Sequence, residues 1–136
     1  MNINTTYTKI ITGEDLMETA QHGSTLYPFQ FYYEDLSVFD FNCIEWHWHT
    51  ELEFIYIESG TVTLWIGEYQ FHLTEGNGIF INTKVLHRLY SPSKALIPNF
   101  VFMPSFIAPC DSLIYQKYIL PIISSSLPFL VFHKKE

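Results

Sequence analysis

Trp46-His47-Trp48-His49-Thr50-Glu51-Leu52-Glu53, followed after six intervening residues by Gly60, is the stretch that decides the reading of this chain. In a β-strand, side chains at i and i+2 share a face, so His47 and His49 point the same way. Glu53 keeps that parity if the strand runs on past Thr50 without a bulge. Two imidazoles and a carboxylate converging on one side are suitable ligands for a first-row transition ion such as Zn, Ni, Mn or Fe. Trp46 and Trp48 then face the opposite way, to pack under another element. Downstream, Gly76-Asn77-Gly78-Ile79-Phe80-Ile81-Asn82 leads through Thr83-Lys84-Val85-Leu86 to His87, a candidate fourth ligand. The same four side chains would equally hydrogen-bond a polar small molecule with no ion present.

Outward from this core, short aromatic or β-branched runs recur with turn signals between them. Phe29–Tyr33, Val38–Phe41, Ile44–His49 and Leu52–Ile57 come first. Thr61–Ile66 and Tyr69–Leu73 flank Gly67-Glu68, the signature of a tight hairpin. Ile79–Ile81, Leu86–Tyr90, Ile97–Phe102 and Leu127–Phe132 complete the series. Many short strands at regular spacing indicate a sandwich or barrel. The N-terminal residues 1–27 read as an arm with one helical turn around Glu14–Thr19, residues 28–110 as the barrel, and residues 111–136 as a helix and final strand. Asp111 or Ser112 would cap that helix, Pro121 would stop it near Leu120, and Leu113, Ile114, Tyr118 and Leu120 would pack against the barrel.

Composition narrows the function classes. Of 136 residues, 48% are hydrophobic and 18% aromatic, which excludes a disordered chain. The formal net charge is −7, and only Lys134 and Lys135 are adjacent basic residues, so no patch suits the nucleic-acid backbone. Cys43 and Cys110 form no disulfide framework and fit a reducing cytoplasm. The apolar run Tyr118–Phe132 is broken by two prolines and is too short to span a bilayer. No phosphate loop or nucleophile elbow is present, and Cys43 near His47 is weak ground for nucleophilic chemistry. His22 and His133 are expected in solvent, and His72, which shares a face with Gln70, on the surface.

The quoted segments resemble the two motifs of the cupin family. His47, His49, Glu53 and Gly60 meet H-x-H-x3-E-x6-G in full, and Gly76 and His87 meet the spacing of G-x5-P-x-G-x2-H-x3-N. Phe41 stands where the first motif begins with Gly, and Asn82, Lys84 and Ser91 replace Pro, Gly and Asn of the second. The resemblance implies an all-β fold, a double-stranded β-helix (jelly-roll) barrel with a C-terminal helix and the four polar residues inside. The run from His47 to Gly60, the run from Leu73 to His87, and Tyr115–Pro121 are further similar to the N-terminal domain of AraC/XylS-type bacterial transcription regulators. That resemblance implies an effector-sensing half, often dimeric, which governs DNA through a helix-turn-helix half outside this chain. The expectation is therefore a non-enzymatic, cytoplasmic sensor with a small polar effector bound near His47, His49, Glu53 and His87. A stand-alone metal-dependent cupin enzyme, of oxygenase or isomerase type, is the alternative. A purely structural dimerisation module would leave four inward polar residues without a task.

Overall fold

A computed structural model describes residues 2–135. Among the described residues nine strands form two antiparallel sheets that face each other as a jelly-roll barrel. In chain order they are β1 (Phe29–Asp35), β2 (Cys43–His47), β3 (Leu52–Tyr56), β4 (Thr61–Ile66), β5 (Tyr69–Thr74), β6 (Gly78–Ile81), β7 (His87–Tyr90), β8 (Leu96–Phe102) and β9 (Phe129–Phe132). One sheet runs β1-β8-β3-β6-β9 and the other β2-β7-β4-β5. The period-two alternation does the sorting: in β4, Val62, Leu64 and Ile66 are buried while Thr61, Thr63 and Trp65 are not. With Ile57, Leu73, Ile79, Ile81, Leu89 and Ile97 they fill the space between the sheets. Each such side chain stabilises the fold by about 1.5–3 kcal/mol relative to exposure.

Gly60 needs to be glycine. Its φ is +86°, and a Cβ there would lie 2.6 Å from the Lys94 carbonyl oxygen and 2.9 Å from the Ala95 Cα. The two motif positions where glycine is replaced keep glycine's backbone: Phe41 has φ +60° and Lys84 φ +62°. The expected strand Val38–Phe41 is therefore absent. Two 3-10 turns, Leu36–Val38 and Asp40–Asn42, stand in its place. Asp35 caps the first by accepting a hydrogen bond from the Ser37 amide, and left-handed residues cannot continue a ladder.

Two other expectations need correction. Glu14–Thr19 is no helical turn: Leu16 has φ +69° and Thr12 bridges Glu18 across a tight reversal. The C-terminal helix does not stop at Pro121 but runs over residues 113–123, with a π-turn at Tyr115–Ile119 and an α-turn at Leu120–Ile123. The wide turn, closed by the Leu120 amide on the Tyr115 carbonyl, relieves the clash a proline ring makes in a regular helix. It also rotates the face. Leu113 (77% exposed), Ile114, Tyr118 and Leu120 point to solvent, while Ile119 is buried. Ile119, Ile122 and Ile123 border an apolar groove over Phe54, Phe80 and Phe102 on the outer side of the five-stranded sheet. Among the described residues no helix is long and apolar enough to cross a membrane.

Candidate functional site

His47, His49, Glu53 and His87 meet at one end of the barrel, with one ligand atom of each within 4.8 Å of the others. They come from both sheets. His47 ends β2 and is the cross-strand partner of His87 at the start of β7, which brings the two rings to 4.1 Å between centroids. Glu53 lies on β3 in the opposite sheet, paired with Ile81 and Val101. The continuous strand that parity invoked does not exist. The chain leaves β2 after His47, turns through residues 48–51 and enters β3 at Leu52. Parity places Glu53 inward with Ile55 on β3 and His87 with Leu89 on β7. A register shift between Ile44 and His47 turns His47 inward on β2, and His49 reaches the cluster from the connecting corner.

Each imidazole is oriented by a backbone carbonyl. Nδ1–H of His47 donates to Glu45 O at 2.8 Å, that of His49 to Glu51 O at 3.1 Å, and that of His87 to Val85 O at 2.8 Å. These bonds leave the three Nε2 atoms facing the Glu53 carboxylate. His49 Nε2 lies 3.0 Å and His87 Nε2 3.4 Å from Glu53 Oε1. Burial opposes charge on His49, but the hydrogen bond and charge of Glu53 win and lift its pKa to about 9. Burial would raise Glu53, yet His49 and His87 hold it far below the usual carboxylate range. His47 is held neutral, first by burial and then by His87.

His87 Nε2 is buried without a hydrogen-bond partner among the described residues. A buried nitrogen left in that state costs about 1–3 kcal/mol, and a cation between it and Glu53 relieves the cost. Separations of 3.0 and 3.4 Å are those of ligands each ~2.1 Å from one ion. Backbone-fixed Nδ1 atoms are the usual outer support of metal-bound histidines. The four residues therefore fit, and could hold, a divalent transition metal. Such an ion supplies Lewis acidity and lowers the pKa of bound water.

A second wall was not anticipated. Tyr32 and Glu34 on β1 and Asn99 on β8 line the same cavity, together with Tyr7, Glu18 and His22 of the arm. Instead of lying in solvent, His22 is 5% exposed. Its Nε2 lies 2.8 Å from Glu18 Oε1, its Nδ1 2.6 Å from the Tyr32 hydroxyl, and its ring edge-on to His49 at 5.6 Å. Trp48 anchors the arm as the outward-facing residue under another element: its indole N–H donates to Asp15 O at 2.9 Å, and its backbone exchanges hydrogen bonds with Leu16 and Glu18. One signal for this wall existed in the sequence. Ile97, Asn99 and Val101 alternate inward on β8, so Asn99 occupies a core position. Nothing local marks His22, because the arm has no period. Burial pushes the Cys43 thiol up to about 12, which makes it a poor nucleophile. His72 is on the surface, 2.9 Å from the Thr63 hydroxyl.

Two facing antiparallel sheets with a His/His/Glu/His cluster at one end define a cupin-type fold. Comparison with known proteins agrees: the family model for the cupin domain matches residues 43–97. The uncharacterized HTH-type transcriptional regulator YdeC of Bacillus subtilis is 26% identical over 124 residues, 88% of this chain and 42% of that protein. The chain thus spans less than half the length of this curated relative. Among solved structures, ToxT from Vibrio cholerae superposes with a TM-score of 0.57 at 16% identity, covering 80% of this chain and 43% of that one. A cupin superfamily protein from Desulfitobacterium hafniense gives 0.51 at 9% identity, covering 56% and 68%. At such identities the structural likeness speaks for the fold alone.

Proposed function

We propose that this chain is the ligand-sensing half of a bacterial transcription regulator of the AraC/XylS type, acting in the cytoplasm. A small polar effector binds inside the barrel beside His47, His49, Glu53 and His87 and governs a DNA-binding helix-turn-helix half outside this sequence. The carrying observation is that the arm supplies part of the pocket wall. With Tyr7, Glu18 and His22 in place the cavity is ≈ 30 Å³, room for about two water molecules. Any larger occupant must move the arm, so occupancy and arm position are linked, and a linked two-state segment is what a sensor requires. The similarity to YdeC supports the regulatory role. A ToxT structure carries a small organic acid, so a protein of this fold class accepts a small ligand. The solvent-facing Leu113, Ile114 and Tyr118 suit a homodimer contact.

The test is a metabolite library screened by thermal stabilisation and by protease cleavage within residues 1–27. Ligands that stabilise the wild type are expected to lose that effect in His47→Ala and Glu53→Ala. Unchanged stabilisation in both variants refutes the pocket assignment.

The orphaned His87 Nε2 favours a second reading, a metal-dependent cupin enzyme. There the Glu18–His22–Tyr32 chain would supply an acid/base beside the ion. Elemental analysis of protein purified without chelator, together with turnover of candidate substrates, separates the readings. A bound metal without turnover fits the sensor, and metal-dependent turnover overturns it.

A further inference from the structure

We infer that the wall opposite the histidine cluster is a site for the ammonium head of a small organic amine, held by Glu34 and Asn99 beneath the arm. The inference rests on the effector-pocket reading above and names the ligand class.

Asn99 is 3% exposed. Its Nδ2 donates to Glu34 Oε1 at 2.7 Å and to the Ile97 carbonyl at 2.9 Å. Both donors are spent on acceptors, so the orientation of the amide is determined and its Oδ1 is left without a donor among the described residues. Glu34 is 6% exposed, and the Asn99 amide is its side chain's one hydrogen-bond partner among the described residues. Two acceptors at the cavity wall thus lack protein donors and stay open to whatever enters the cavity. Glu18 and Glu53 are each already paired with a histidine, His22 and His49. That leaves Glu34 as the lining carboxylate with no basic partner, and no Lys or Arg borders the cavity.

An occupant must therefore bring donors, and positive charge gains most. An ammonium has three N–H donors and no acceptor. A polyol brings donors without charge, and a carboxylate adds repulsion. Size permits it, since a cavity that takes about two water molecules admits an ammonium head. Tyr7, Ile10, Glu18 and His22 of the arm border the same cavity, so an alkyl tail packed there would meet the arm. Burial keeps the Glu34 carboxyl at about 7, and a neighbouring cation would reverse that shift.

Calorimetric titration at pH 8 with three four-carbon probes, n-butylamine, n-butyrate and erythritol, tests the assignment on the intact chain. Butylamine is expected to bind, at least tenfold more weakly to Glu34→Gln and equally to the exposed Glu68→Gln. Unchanged affinity in a folded Glu34→Gln, or preference for butyrate, overturns the proposal. If Glu34→Gln fails to fold, the ranking of the three probes on the wild type still decides. Binding of butyrate or erythritol in place of butylamine sinks the amine assignment and leaves the pocket reading standing. No binding by any of the three sinks both.

Discussion

Replacing Phe41 by glycine should stabilise this protein. Phe41 holds φ +60°, ψ +21°, a region that costs an L-residue about 1–2 kcal/mol. Its side chain is 92% exposed, so removing it gives up almost no buried surface. Glycine relieves the strain but has more freedom to lose on folding, which returns about 0.5–1 kcal/mol. The net expected gain is about 0.5–1 kcal/mol, or roughly 2–4 °C in Tm for a domain of this size. Urea unfolding followed by tryptophan fluorescence would read it as a higher midpoint at unchanged slope. Phe41→Ala is the control, because alanine keeps the Cβ and hence the strain. A lower midpoint for the glycine variant, or an equal gain in the alanine variant, would refute the assignment of strain to this backbone position.

Further expected outcomes concern the site. Burial, opposed by the Asn99 hydrogen bond and reinforced by the charge of Glu53, raises the Glu34 pKa from 4.5 to about 7. Between those values the folded state binds the extra proton, so Glu34 makes stability fall as pH rises from about 4.5 to 7. Glu34→Gln should flatten that part of the profile of urea midpoints, and an unchanged profile contradicts the shift. Zinc or manganese added to chelator-treated protein should raise Tm in proportion to log concentration, and His87→Ala should abolish the rise; persistence of the rise would move the ion elsewhere. Trp48→Ala should speed protease cleavage within residues 1–27 while the barrel stays intact, because the indole bond to Asp15 and its packing are lost. Equal cleavage rates would mean that Trp48 does not anchor the arm. Ile79→Ala, at a fully buried position, should cost about 2–5 kcal/mol, read by the same urea titration.

Much of the barrel was legible from local pattern. Strand β4 coincides with the run read from alternation, Thr61–Ile66, and its hairpin with β5 turns at Gly67-Glu68. Period two and turn chemistry are properties of a few consecutive residues, and they survive any tertiary context. The spacing of His47, His49, Glu53 and His87 marked the cluster, but parity carries only Glu53 and His87: a register shift turns His47 inward and His49 lies off the strands in the corner. What failed was whatever depends on backbone conformations that side-chain type does not announce. Phe41 in a left-handed turn looks like a strand residue, and a π-turn before Pro121 rotates the helix so that the expected face turns outward.

The pocket divides along the same line. By itself, the sequence determined that three histidines and a glutamate share the inside of a barrel. Only the tertiary structure decided how they are oriented, because the carbonyls of Glu45, Glu51 and Val85 fix the rings. It also decided what closes over them. The second wall joins Glu18 and His22 to Tyr32, and Glu34 to Asn99 across 65 residues. Contacts between an aperiodic arm and strands from distant parts of the chain come from long-range packing, and no local pattern encodes them.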